Sequence, residues 1–189
     1  MTDPLVALIA RMKSFPITPN ASPALRAAIL AYLRARGRDL ALSAADIAPY
    51  DQRYIARPLY RDQSGWSLAA VVFAPGQATL PHDHEAWGCA TTLRGVERVR
   101  RFTNPAQLQL SLIEELDIPA GDGYHFDRDE IHQVIGADAD RPTVALHLLV
   151  QGTEADRASQ RFSEQMPPDG WRVPILPPTV IRPVLRRSA

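Results

Sequence analysis

Two rhythms of apolar spacing divide the chain. In residues 3–48 the rhythm is helical: Leu5, Leu8, Ile9 and Met12 recur at three- and four-residue intervals. A polar break from Thr18 to Ser22 follows. Ser22 then precedes Pro23, a capping residue before a proline suited to the first helical position, and the run ALRAAILAYLRARG continues to Gly37. A third short turn, SAADIAPY, ends this part near Pro49. From about residue 50 the runs become short and rich in β-formers: SLAAVVFA (67–74), CATTLRG (89–95), VERVRRF (96–102) and TVALHLLV (143–150). Turn signals DQSG, PGQ, TNP, PAGDG and GADADRP separate them. Short strands at this spacing predict a mainly β sandwich or barrel. Residues 153–189 hold six prolines, too many for a central strand or a long helix, and predict an irregular tail around the barrel. The expected division is therefore a helical segment over 1–48, a barrel over 49–152 and a Pro-rich tail over 153–189.

Composition narrows the class. A length of 189 residues with 46% apolar content suits one domain with a sizeable core. The 21 basic and 21 acidic residues balance, so no charge footprint for nucleic acid or an anionic membrane is expected. A single cysteine, Cys89, rules out an internal disulfide framework. No apolar run approaches the ~18 residues of a spanning helix, and the start of the chain does not read as a signal peptide. A cytoplasmic protein is the expectation.

The five histidines carry the chemistry. On a strand, His82 and His84 share one face while Asp83 points away. Such a pair alone is more often a surface feature than a metal site. Here it comes with Gly76 before it, Gly95 after it, and a second set formed by Gly121 and His132. This skeleton resembles the two motifs of the cupins, over roughly residues 65–150. Asp127, Asp129 and Gly136 stand where the second motif has Pro, Gly and Asn. The resemblance implies a double-stranded β-helix (jelly-roll) barrel and a metal held by His82, His84 and His132. The usual fourth ligand, a glutamate, would fall at Gly88 or Cys89, and Glu85 lies on the wrong strand face. Three neutral imidazoles suit iron, zinc, copper or nickel. They leave the dication charge uncompensated and favour an anionic ligand together with dioxygen.

Three-histidine cupins are similar to the thiol dioxygenases acting on cysteine or 3-mercaptopropionate. PGQATLPHDHEAWGCATTLRG resembles that family's first ligand segment, DEIHQV its third-ligand strand, TVALHLLV its Ser-x-His-x-Tyr strand, and YIARPLYRD the segment with the substrate-binding Arg or Gln. The resemblance implies Fe(II), with Zn or Ni acceptable in a purified sample. It also implies that Arg57 clamps a substrate carboxylate and that His147 takes the place of the catalytic relay histidine that stands behind the metal ligands. The partners implied are a small thiol or carboxylate and dioxygen, with a sulfinate as product. The residues also allow Arg57 to be a solvated arginine at a strand end, and His147 to be a buried histidine bonded to a backbone carbonyl or water. The family's Ser and Tyr are replaced by Ala145 and Leu149. A metal-binding cupin that senses a small ligand, or another cupin enzyme, is the alternative reading. His125, Tyr60 and Tyr124 have no assigned role, and Cys89 reads as a small buried hydrophobe.

Some thiol dioxygenases join a cysteine to the tyrosine as a thioether. Leu149 offers no phenol, so the intact mass should equal that of the unmodified chain, and a loss of two hydrogens traced to Cys89 would contradict this.

Overall fold

The computed structural model describes residues 3–40, 42, 48, 54–84, 87–103, 110–128 and 130–150. The expected third turn, residue 48 apart, and the Pro-rich tail lie outside the described residues. Two helices come first, α1 (Pro4–Met12) and α2 (Pro23–Gly37). Both begin as the sequence dictates: the Asp3 carboxylate accepts from the Leu5 N–H at 2.8 Å, the Ser22 hydroxyl from the Leu25 N–H at 3.3 Å, and a proline opens each helix. Arg34 and Arg36 close the last turn of α2, where basic side chains suit the helix dipole. No helix among the described residues is long and apolar enough to cross a membrane.

Eight strands follow: β1 (Ile55–Arg61), β2 (Trp66–Phe73), β3 (Trp87–Arg94), β4 (Val96–Thr103), β5 (Ser111–Pro119), β6 (Gly123–Phe126), β7 (Ile131–Gly136) and β8 (Thr143–Val150). They form a five-stranded sheet, β1-β2-β8-β3-β6, and a three-stranded sheet, β5-β4-β7, with every pairing antiparallel. The chain passes from one sheet to the other and back, which is the double-stranded β-helix expected from the sequence. Gly95 joins β3 to β4 with φ at +74°, a conformation costly for residues with a Cβ, and its backbone lies against Thr143.

The larger sheet is covered on both faces. Leu8 and Met12 of α1 and Ile29, Leu30 and Leu33 of α2 pack with Leu68, Ala70, Cys89, Leu146 and Leu148 on its outer face. Trp87 ties this layer together: its indole N–H donates to Thr18 O at 2.9 Å, and the Arg26 guanidinium lies 4.8 Å from its ring centre. The inner face carries the alternate residues. One row runs Ala69, His147, Ala90, Tyr124 across β2, β8, β3 and β6. On β4 the outward Arg98 and Arg100 pair with Asp117 and Glu115 of β5, leaving Glu97 and Val99 to face the barrel interior.

The segment bearing His82 and His84 differs from expectation. It is extended but forms no ladder strand, and its backbone pairs with β7 at the isolated bridges Ala78↔Ile135 and His82↔His132. Thr79 N donates to Val134 O and His82 N to His132 O, each at 2.8 Å. Pro81 stands between them and has no N–H to offer.

Gly88 sits where the barrel is tightest. A Cβ there would lie 2.1 Å from Phe126 Cζ and 2.4 Å from the Leu148 carbonyl oxygen. Gly88→Ala should therefore destabilise the fold by about 1–3 kcal/mol. Urea unfolding checks this through a lower midpoint at unchanged slope.

Candidate metal centre

His82, His84 and His132 meet at one end of the barrel interior. One ligating atom from each lies within 4.8 Å of the others, and the ring centres are 4.6–5.2 Å apart. Two chain segments supply them. His82 and His132 face each other across an antiparallel bridge and exchange both backbone hydrogen bonds at 2.8 Å. His84 follows two residues on, and Phe126 packs against His84 and His132 with ring centres 5.2 and 5.0 Å away.

The hydrogen bonds select the donor atoms. His82 Nδ1 lies 2.8 Å from Leu80 O, and His132 Nδ1 lies 3.1 Å from Glu130 O. A carbonyl only accepts, so each Nδ1 carries the proton and each Nε2 keeps its lone pair for a metal. The buried His84 Nδ1 has no hydrogen-bond partner among the described residues. Burial, more than any other cause, lowers the affinity of all three imidazoles for protons. It brings His84 down to about 3, with the neighbouring His82 and His147 adding to the effect, and it holds His82 below and His132 well below the usual value. Three neutral nitrogen donors fit a borderline divalent cation. Bonds of about 2.0–2.1 Å are typical for such donors.

Beside the three rings opens a cavity of about 250 Å³. Its walls are mainly apolar, with Ala69, Val71, Phe73, Val134 and Leu149 among them, and His147 also lines it. His147 Nε2 lies 2.8 Å from Glu97 Oε1, and the Glu97 side chain is fully buried. Neither a lost Ser–Tyr pair nor a backbone carbonyl serves His147; a carboxylate on the facing sheet does. Tyr124 lies edge-on to His147 at 6.5 Å, and its buried hydroxyl has no hydrogen-bond partner.

Arg57 does not join this group. On β1 the residue lining the cavity is Ala56, paired with Val71, whereas Arg57 pairs with Ala70, whose side belongs to the outer layer. The expectation that Arg57 projects into the barrel mouth is corrected by strand parity: adjacent residues face opposite ways. His125, paired with Cys89, likewise falls outside the cavity lining. Tyr60 bonds Asp62 at 2.8 Å and packs on Trp66. Cys89 is fully buried, and burial pushes its thiol up to about 12, as suits an unreactive core residue.

No family model matches the sequence. Solved structures of similar fold include a double-stranded β-helix protein from Klebsiella pneumoniae, with 14% identity over 63% of this chain and 90% of that one at a TM-score of 0.49. Another is a cupin superfamily protein from Desulfitobacterium hafniense, with 16% identity over 57% and 85% at 0.45. A third is an oxalate oxidase bound to glycolate, with 17% identity over 55% and 54% at 0.45.

The buried imidazoles give the metal-free protein a defined pH response. Unfolded histidines take up protons below about pH 6.5 while these folded ones stay neutral, so the unfolded state binds more protons. Stability is full above that pH and falls as pH drops. The steepest slope is about 1.4 kcal/mol per pH unit for each imidazole, and for His84 the loss runs down to about pH 3. Urea titrations between pH 7.5 and 5 check this. His84→Ala should flatten the response and abolish metal retention.

Proposed function

We propose that this chain is a metal-dependent oxygenase of cupin fold, with Fe(II) on His82, His84 and His132, oxidising a small thiol to a sulfinate. The observation that supports this best is the convergence of three neutral imidazoles at the side of a small, mainly apolar cavity. Iron, when bound, supplies coordination positions for thiolate and dioxygen and the electrons they exchange. The protein's own part is to hold the Nε2 atoms of His82 and His132 in place through the Leu80 and Glu130 carbonyls, to pack the His84 ring against Phe126, and to keep water away with aliphatic walls. The cavity volume suits a ligand of a few heavy atoms. Arg57 takes no part, so a carboxylate on the substrate is not required by this reading.

The alternative is a metal-binding cupin that senses or stores a small ligand. The absence of hydroxyls at Ala145 and Leu149, both on the His147 face, favours it. The balance R–SH + O₂ → R–SO₂H separates the two. The purified protein should be reconstituted with Fe(II) and given cysteine, 3-mercaptopropionate and ethanethiol in an oxygen electrode. Oxygen uptake matched by sulfinate, absent with Zn(II) and in His84→Ala, is the expected result. A thiol that binds without oxygen uptake would establish the sensing role instead.

A further inference from the structure

Glu97 is a fully buried carboxylate inside the barrel, on the sheet opposite His147. One oxygen meets His147 Nε2 at 2.8 Å, and the other is buried without a hydrogen-bond partner among the described residues. Nothing in the three-imidazole centre uses this acid, and an inward-facing carboxylate is costly unless its partner matters. A carboxylate accepts and does not donate, so the proton of this bond belongs to Nε2. His147 Nδ1 makes no hydrogen bond to a described residue, and the side chain keeps 15% of its surface exposed where it lines the cavity. Alanines flank it on both neighbouring strands, Ala69 and Ala90, so the ring stands clear at that wall.

We propose that Glu97 is a positioning residue that holds His147 with Nε2–H turned to the barrel wall and the Nδ1 lone pair turned to the cavity, so that His147 takes the proton of a ligand X–H as X binds the metal. The inference rests on the metal reading above. In this step the X–H bond breaks and an N–H bond forms at Nδ1. The electron pair of X–H stays on X and becomes its bond to the metal, and no electron changes owner. A ligand thus crosses the aliphatic walls uncharged and becomes anionic only at the cation. Its proton remains on an imidazolium paired with Glu97, a carboxylate–imidazole arrangement like those that support general bases elsewhere. The Tyr124 ring packs edge-on to His147 at 6.5 Å, and burial first, with the charge of Glu97 second, holds its phenol well above the usual value, so it adds no second negative charge there. The substrate class that follows is a weakly acidic neutral molecule, a thiol or an enol, in preference to a permanent anion.

The test reads the proton directly. Full-length ¹⁵N-labelled protein loaded with Zn(II) is examined by long-range proton–nitrogen NMR. His147 should show a protonated Nε2 and a bare Nδ1. In Glu97→Gln the amide can donate to Nε2, and at least about half of His147 should move its proton to Nδ1, at unchanged zinc stoichiometry. A second measurement uses the Co(II)-loaded protein and ethanethiol, with binding followed by sulfur-to-cobalt charge-transfer absorption and released protons by an indicator dye. Wild type should bind without releasing a proton. Glu97→Gln should release one per thiolate and bind about tenfold more weakly near neutral pH. Wild-type His147 protonated at Nδ1, as either neutral ring or imidazolium, overturns the proposal even if the variant does not fold. So does an equal proton count in the two proteins. Failure to bind Zn(II) or Co(II) would defeat the metal reading, whereas the His147 tautomer of the metal-free protein still decides the role of Glu97.

Discussion

Everything at the candidate centre depends on one pair of backbone hydrogen bonds. His82 and His132 each donate an N–H to the other's carbonyl at 2.8 Å. Directly opposed residues of an antiparallel bridge carry their side chains on the same face. Two imidazoles are therefore brought together by main-chain geometry before any metal is considered, and the period of two in the extended chain places His84 on the same side. The remaining anchors of segment 76–84, such as Thr79 N on Val134 O and Gln133 Nε2 on Thr79 O, lie on the side of Pro81 away from the histidines.

The barrel around this pair separates two kinds of polar chemistry. The outer side of β4 and β5 carries arginine–carboxylate pairs, Arg98 with Asp117 and Arg100 with Glu115. On the inner side Glu97, fully buried, is matched to the imidazole of His147. Arg101, with Glu114 and Glu130, closes the end of that inner row beside His132. A low-polarity cavity strengthens every charge left inside it. The His84 Nδ1, the Tyr124 hydroxyl and the second Glu97 oxygen are buried without a hydrogen-bond partner among the described residues.

Much of this arrangement was legible in the sequence, and the remainder was hidden for physical reasons. Capping residues, turn glycines and the His82-x-His84 spacing act locally, so the helices, the Gly95 turn and the histidine pair could be read, and the resemblance to the cupin motifs added His132. TVALHLLV over 143–150 matches β8, and its alternation placed Ala145, His147 and Leu149 on one face. β5 was missed because SLIEELDIP is acid-rich, its glutamates serving ion pairs across to β4 instead of solvent. Glu97 was missed because VERVRRF carries charges on both strand faces, so alternation alone does not say which face is interior. The clue was Val99, whose parity Glu97 shares. Arg57 was misplaced for the converse reason: family position suggested a role, while the sense of β1 relative to the cavity depends on long-range register with β2.

The two bridge histidines are alike in one more respect. Each turns its Nδ1 to the carbonyl two residues before it, Leu80 for His82 and Glu130 for His132. An antiparallel bridge has a local twofold axis, so these two donors are near-equivalents in hydrogen bonding as well as in backbone placement. His84 has no counterpart, and its Nδ1 has no such tether among the described residues; its ring packs against Phe126 at 5.2 Å and against the other two imidazoles. The donor set is thus a symmetric pair plus one odd member. Rotation of the His84 ring is thus opposed by packing, whereas the other two rings are also fixed by a hydrogen bond.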